Sequence, residues 1–381
     1  MKRQQIYPLV NDIFKEILGT SIILEEDLSN VVDCGKALLD ATDVDNYVNA
    51  LIDKVGKQVF VDRKYESSLP SIMFESWEFG SVLEKSYCVM PRTSANESWE
   101  LSDGHTYSQE VFYKPTIHSK LYNKRVTFEV DLSITDLQAK TSLKDANALT
   151  SFVSMIYTAI ENAVTVGIDE ACKRVVNNLI AEVYTDGVSG VSKINLLKTY
   201  NDTYNKSLTT ATMFGDGDFL RWCVYIIGEV SERMTKVSTL YNVGRVERFT
   251  PKTEQKFVML GDFDRAIKVN LYNGNGQYLN EYLTVPNHDS VPYWQGSGTT
   301  YAFDDISKIK VKVGSDSAQV EANGILGVMF DRNAVGVSCL DRRTRSVYNA
   351  KAEFTNVYDK VDLGEFCDLD ENAVVFYASA T

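Results

Sequence analysis

Three histidines and six cysteines are the residues best suited to metal or nucleophilic chemistry in this chain. They are His105, His118 and His288, and Cys34, Cys88, Cys172, Cys223, Cys339 and Cys367. They are scattered. No Cys-x-x-Cys pair occurs and the histidines lack ligand spacing, so neither a zinc site nor a disulfide framework is signalled. A phosphate loop needs Gly-x-x-x-x-Gly-Lys-Ser/Thr. Gly35-Lys36 lacks both the upstream glycine and the hydroxyl residue. Gly274-x-Gly276 has no third glycine and reads as a turn. Gly187-Val188-Ser189-Gly190 lacks the spacing of a nucleophile elbow. Asp216-Gly217-Asp218 could touch a cation, but acidic groups favour a helix N-terminus and a capping role is the expected one. No catalytic residue, cofactor or metal is therefore expected.

The chain has 381 residues, enough for one large domain or two to three smaller ones with a core. Its formal net charge is -13 and its pI about 4.9. Such a chain presents no basic face with which to coat nucleic acid. Isolated thiols point to a reducing site of synthesis. The N-terminal residues hold no apolar run long enough for a signal peptide or a membrane span. The chain is expected in the cytoplasm, with no membrane partner. Its aromatic count is notable, with 21 Tyr, 17 Phe and 4 Trp. They suit core and sheet packing, or interface anchoring, where Tyr and Trp are enriched.

Hydrophobic spacing gives the elements. Apolar residues from Ile6 to Leu18 fall at helical intervals, and a second short helix fits 44–56, followed by a strand over 57–63. From Trp77 to Asp131 the pattern is a long ribbon. Its outgoing part puts Leu83, Tyr87 and Val89 on one face, and 125–132 puts Val126, Phe128, Val130 and Leu132 on one face. Between them 91–115 is polar. The residues SITD at 133–136 can cap a helix. A helix over 146–184 is the longest pattern, at ~1.5 Å per residue some 57 Å. Gly167 could kink it, and Asp186-Gly187 closes it. The stretch 192–217 is polar and loop-like, and 219–241 is an amphipathic helix. Strands fit 257–260, 309–313 and 325–330, so 206–340 reads as an α/β unit. The end, 345–378, is β-rich, with a last strand at 373–377. An isolated two-stranded ribbon is marginal in water. The ribbon must lie on something, and a second copy of the chain is the nearest candidate.

Four stretches carry a family resemblance: NYVNALIDKVGKQVFVDR at 46–63, WEFGSVLEKSYCVMP at 77–91, VTFEVDLSITDLQA at 126–139, and GILGVMFDRNAVGV at 324–337 with YNAKAEFTNVYDK at 348–360 and NAVVFYAS at 372–379. In this order they resemble the major capsid proteins of tailed bacteriophages, whose Hong Kong ninety-seven capsid fold is shared with encapsulins. The resemblance implies an α+β chain. An N-terminal arm spans 1–60 and a join 61–77. The extended loop is a β-hairpin over 78–130. The peripheral domain with its spine helix covers 131–205, the axial α/β domain 206–340, and closing strands of the peripheral domain 341–381.

It implies a major capsid protein that assembles through pentamers and hexamers into an icosahedral shell around double-stranded DNA, touched without sequence specificity. It also implies a virion protein assembled in the bacterial cytoplasm. Expected partners are many copies of itself, a portal, decoration proteins and a separate scaffolding protein, since the arm is too short to serve as one. No Lys–Asn cross-linking trio aligns, so no such bond is expected. The candidate assembly residues are Trp77, Phe79, Tyr87, Pro91, Trp99, Tyr107, Phe112, Tyr113, Trp294, Arg342, Arg343 and Arg345. The arginines could face enclosed DNA, but pairing with a neighbour's carboxylates suits the acidic whole better. An encapsulin shell around an enzyme cargo, an α/β enzyme with an inserted ribbon, and a tail or sheath protein are the rival readings.

Overall fold

The computed structural model describes residues 69–74, 83–93, 98–107, 110, 112–142, 146–271, 288–296, 303–312 and 319–379, with single positions before residue 37. In chain order the strands and helices are β1 (Met73–Phe74), β2 (Leu83–Cys88), β3 (Ile117–Tyr122), β4 (Arg125–Thr135), α1 (Asp136–Ser142), α2 (Ala146–Asp186), β5 (Lys193–Asn195), α3 (Leu196–Tyr204) and α4 (Gly217–Met234). Then come β6 (Gln255–Leu260), α5 (Gly261–Leu271), β7 (His288–Val291), β8 (Ile309–Lys312), β9 (Gln319–Ala322), β10 (Ile325–Asp331), β11 (Val335–Asn349), β12 (Phe354–Cys367) and β13 (Ala373–Tyr377). The helices expected at 5–18 and 44–56 and the strand at 57–63 fall almost wholly outside the described residues. The chain divides into two compact units, one of 1–76, 125–174 and 337–364, the other of 77–124, 175–336 and 365–381.

The first unit is built on a four-stranded sheet in the order β1-β11-β12-β4. β12 and β4 pair antiparallel over eleven residues, from Phe354 opposite Thr135 to Gly364 opposite Arg125. β4 alternates as its sequence requires: Val126, Phe128, Val130, Leu132 and Ile134 turn inward. Its end passes straight into α1 through a reciprocal cap. The Thr135 hydroxyl accepts from the Gln138 amide at 3.3 Å, and the Gln138 side chain accepts from the Thr135 amide at 3.1 Å. In α2, Val153, Ile156, Ile160, Val164, Ile168 and Ala171 recur at helical intervals and are buried. Gly167 has a packing role here. A Cβ there would stand 2.8 Å from the Phe128 ring, so the glycine lets β4 bring its aromatic side chain onto the helix backbone.

The second unit holds a five-stranded mixed sheet, β5-β13-β10-β6-β7. β10 runs antiparallel to both β13 and β6, while β5 and β7 join the flanks in parallel. Strands buried on both faces need near-continuous apolar sequence. ILGVMFD in β10 and AVVFY in β13 are such runs. Phe219, Phe257, Phe263, Phe330 and Phe376 fill the core. Asp216 caps α4, its carboxylate accepting from the Asp218 and Phe219 amides at 2.9 Å each. This is the capping role expected from the sequence.

Three expectations need correction. The return strand of the ribbon is β3, paired with β2 from Leu83 opposite Tyr122 to Cys88 opposite Ile117. The cleaner alternation at 125–132 belongs instead to the four-stranded sheet, because β12 supplies it with a partner along its whole length. Second, 192–217 is not all loop: Asn195 caps α3 by accepting from the Lys198 amide, and Asn205, with φ 50°, ends it. Third, α4 stops at Met234 rather than near 241. The chain turns back and the Thr250 amide takes the Met234 carbonyl at 2.8 Å.

Gly324 sits before β10 with φ +75°, and a Cβ there would overlap the Ala378 carbonyl oxygen. Gly324→Ala is therefore expected to lower stability by on the order of 1–3 kcal/mol. The urea midpoint of the purified chain reads this directly.

Candidate assembly surface

The ribbon is two-faced. Leu83, Lys85 and Tyr87 on β2 share a half-buried face with Lys120 and Tyr122 on β3. Lys85 stands directly opposite Lys120. Like charges at such a pair are destabilising. Here one buried carboxylate stands between them. Lys85 Nζ donates to Asp368 Oδ2 at 2.6 Å and Lys120 Nζ to Asp368 Oδ1 at 3.0 Å. Lys85 also reaches Glu371 Oε1 at 2.9 Å and the Asn333 carbonyl at 2.9 Å, and Lys120 reaches Asp370 Oδ2 at 2.5 Å. The Tyr87 ring lies under the Arg248 guanidinium, 3.7 Å from its centroid, while Tyr87 Oη donates to Asp370 at 3.4 Å. Arg248 Nε stands 3.6 Å from Glu371. Behind them the Tyr122 ring packs on Phe366 and Lys124 pairs with Glu365. Three cations thus meet three carboxylates at the root of the ribbon.

The electrostatics agree with the geometry. Burial pushes the Asp368 carboxyl up, but the hydrogen bonds and charges of Lys85, then Lys120, hold it below its ordinary value. Burial draws the Lys120 ammonium down, and Asp370 and Asp368 more than reverse this. Asp331 differs: burial raises it, and the charge of Glu371 adds to the rise.

Beyond the root the ribbon is exposed. Trp99 is 97% accessible, Phe112 83% and Tyr113 85%, and Ile117 and Leu121 are exposed on the face away from the lysines. Pro91 and Tyr107 are exposed as well. Trp77 and Phe79 lie outside the described residues. Tyr87 belongs to the inner face, engaged with its own chain. Trp294, expected at an interface, is in the core at 2% exposure. Its Nε1 donates to the Ile325 carbonyl at 2.9 Å and its own carbonyl accepts from Asn177 at 2.7 Å. An indole whose N–H finds a backbone partner can be buried without loss.

The arginine cluster lies on the four-stranded sheet, and two of its members are taken up inside the chain rather than by a neighbour. Arg342 Nε donates to Asp359 Oδ2 at 2.9 Å and its Nη1 to Glu161 Oε1 at 2.9 Å. Arg343 pairs with Asp341 and with Asp362, which also receives Arg125 and, at 2.5 Å, the Thr127 hydroxyl. Burial pushes the Asp362 carboxyl up, but Arg343, Thr127 and Arg125 hold it far below the usual carboxylate range. Arg345 alone of the three is exposed.

The sequence reading passed over the root cluster. One signal was present: Lys85 falls on the apolar face of an alternating strand. Its partners lie 283 and 286 residues away, and no local pattern ties them to it.

A family model for the Phi29-like phage major capsid protein matches residues 10–377. The chain belongs to that family. It is a tailed-phage major capsid protein, a structural component of a shell made of many copies. A capsid chain of Staphylococcus phage Andhra superposes with a TM-score of 0.54 at 10% identity, over 84% of this chain and 86% of that one. A chain from the structure of head fiber and inner core protein gp22 of native bacteriophage P68 gives 0.52 at 9% identity, over 84% and 86%. At such identity the likeness is one of fold, here the α+β capsid fold. No curated protein matches the sequence.

In this capsid protein the Arg342 group is a fold-holding element. Its side chain, like those of Asp359 and Glu161, is less than a tenth exposed. Arg342→Ala leaves two buried carboxylates without their cation and is expected to destabilise by about 3–5 kcal/mol. A denaturant melt of dilute subunits measures the loss.

Proposed function

We propose that the chain self-assembles through pentamers and hexamers into an icosahedral shell, with the ribbon tip lying on an adjacent copy. The exposed aromatic tip is the observation that carries this reading. Trp99, Phe112 and Tyr113, with Ile117 behind them, are apolar residues held out on an element whose other face is engaged at its root. Large exposed aromatic surface marks an interaction site. In a shell protein the abundant partner is a second copy, and head-to-tail contacts of this kind close into rings.

The domain assignment follows the same reading. The ribbon within 78–130 is the extended loop and α2 the spine helix of the peripheral domain over 131–205. Residues 206–340 belong to the axial domain, where β13 joins their sheet from the end of the chain, 341–364 hold closing strands of the peripheral domain, and 1–60 is the arm. The shell encloses double-stranded DNA without sequence-specific contacts. A separate scaffolding protein guides assembly in the bacterial cytoplasm, and portal and decoration proteins complete the particle. The role is structural, with no catalytic step. Exposed Arg345, with Arg342 and Arg343 committed within the chain, is the member of that cluster left to meet a partner.

Deleting 93–114 is expected to leave a folded subunit that no longer forms normal shells. Electron microscopy and light scattering of the variant beside the wild type provide the readout. Full-size particles from the deletion variant would refute the placement of the tip on a neighbour.

A further inference from the structure

We propose that the Asp368-centred cluster is a latch acting within one chain, which sets the pose of the ribbon before any neighbour arrives and releases it in acid. A two-stranded ribbon alone is marginal in water. This one also carries Lys85 opposite Lys120 on the same face, an arrangement that opposes strand pairing unless an anion lies between. Asp368 is that anion, and its side chain is 1% exposed. Its own position is fixed. The Asp368 amide donates to the Ala334 carbonyl at 2.6 Å, and Oδ1 accepts from the Asp370 amide at 3.1 Å. The carboxylate is thus held by the backbone at the end of β12, and the lysines come to it.

The rest of the cluster makes the docking directional. Asp370 takes Lys120 and the Tyr87 hydroxyl, Glu371 takes Lys85, and Arg248 covers the Tyr87 ring. Gly244 lies against Asp370, where a Cβ would overlap the carboxylate, and its amide donates to the Leu369 carbonyl at 3.0 Å. Among the described residues the inner face of the ribbon is therefore occupied, and the face bearing Ile117 and Leu121 is exposed. A binding element held in one pose before association loses less entropy when it docks. The latch goes beyond the shell reading, because it operates in a subunit with no partner.

The pH sense follows from the groups that face one another here. They are Asp368, Asp370, Glu371 and Asp331 against Lys85, Lys120 and Arg248, with Tyr87, Tyr122 and His118 beside them. Asp368 is lowered from 3.8 in the folded chain. A depressed carboxyl stabilises above its unfolded value and loses that contribution as pH falls through the folded value. The latch is closed at neutral pH and opens in acid, below the ordinary carboxyl value. Protonation of Asp368 then removes the anion that Lys85 and Lys120 share.

The test is hydrogen exchange on dilute, unassembled subunits, so it does not depend on whether shells form. Amides of 83–88 and 117–122 are compared with those of 325–331 and 373–377 as a fold control. In the wild type the ribbon amides are expected to be protected at pH 7 and to lose at least about tenfold in protection as the pH is stepped down through and below the usual carboxylate range, with the control strands still protected. Asp368→Asn is expected to show the low ribbon protection already at pH 7. Lys85→Met with Lys120→Met, which leaves the buried acidic side untouched, provides a second variant and is expected to do the same. Ribbon protection equal to wild type in both variants at pH 7 would overturn the latch. Loss of protection in the control strands as well would also overturn it, because the cluster would then be holding the fold rather than the ribbon.

Discussion

Two lysines face each other across a two-stranded ribbon, and one buried carboxylate makes that tolerable. The placement of the ribbon in this capsid protein depends on that arrangement. Asp368 accepts from Lys85 and Lys120 at once, and the two ammonium groups offset the cost of burying its charge. The three groups support one another. They determine which face of the ribbon is spent on its own chain and which is left for others.

The same economy recurs in the four-stranded sheet. Two of its acidic residues are withdrawn from solvent. Asp359 and Asp362 are buried, and each is matched by arginines that the sequence places close together on one strand. A chain with net charge -13 thus matches these buried carboxylates with arginines of its own. The basic run at 342–345, which alone would suggest contact with DNA, serves mainly to close two carboxylate pockets.

Local elements were largely legible because their signals are local. The stripe of α2, the cap at Asp216, the continuous apolar runs of β10 and β13 and the alternation of β4 each follow from period, capping chemistry or burial on both faces. Pairing was less legible. β4 and β2 both alternate, and nothing within either segment says that β4 takes β12 while β2 takes the less regular β3. Short α3 went unseen because a nine-residue helix beside a polar stretch has little periodicity to show. The end of α4 was overrun because Val237 continues the stripe, whereas the return of Thr250 onto Met234 is a tertiary event.

The candidate site divides along the same line. The exposed aromatic tip could be read from composition, since Trp99, Phe112 and Tyr113 sit in polar sequence that offers no core. Trp294 sits in a similar setting and turned inward, because Ile325 and Asn177 give its polar atoms partners from distant segments. The sequence by itself determined the element types, the apolar faces, the acidic balance and the order of segments that points to a capsid chain. Tertiary structure alone decided which strands pair, which arginines are consumed and where the ribbon is anchored. The reason is physical: hydrophobic period and capping act over a few residues, whereas a charge pair such as Lys85 with Asp368 is made by the fold across 283 residues and leaves no trace in either segment.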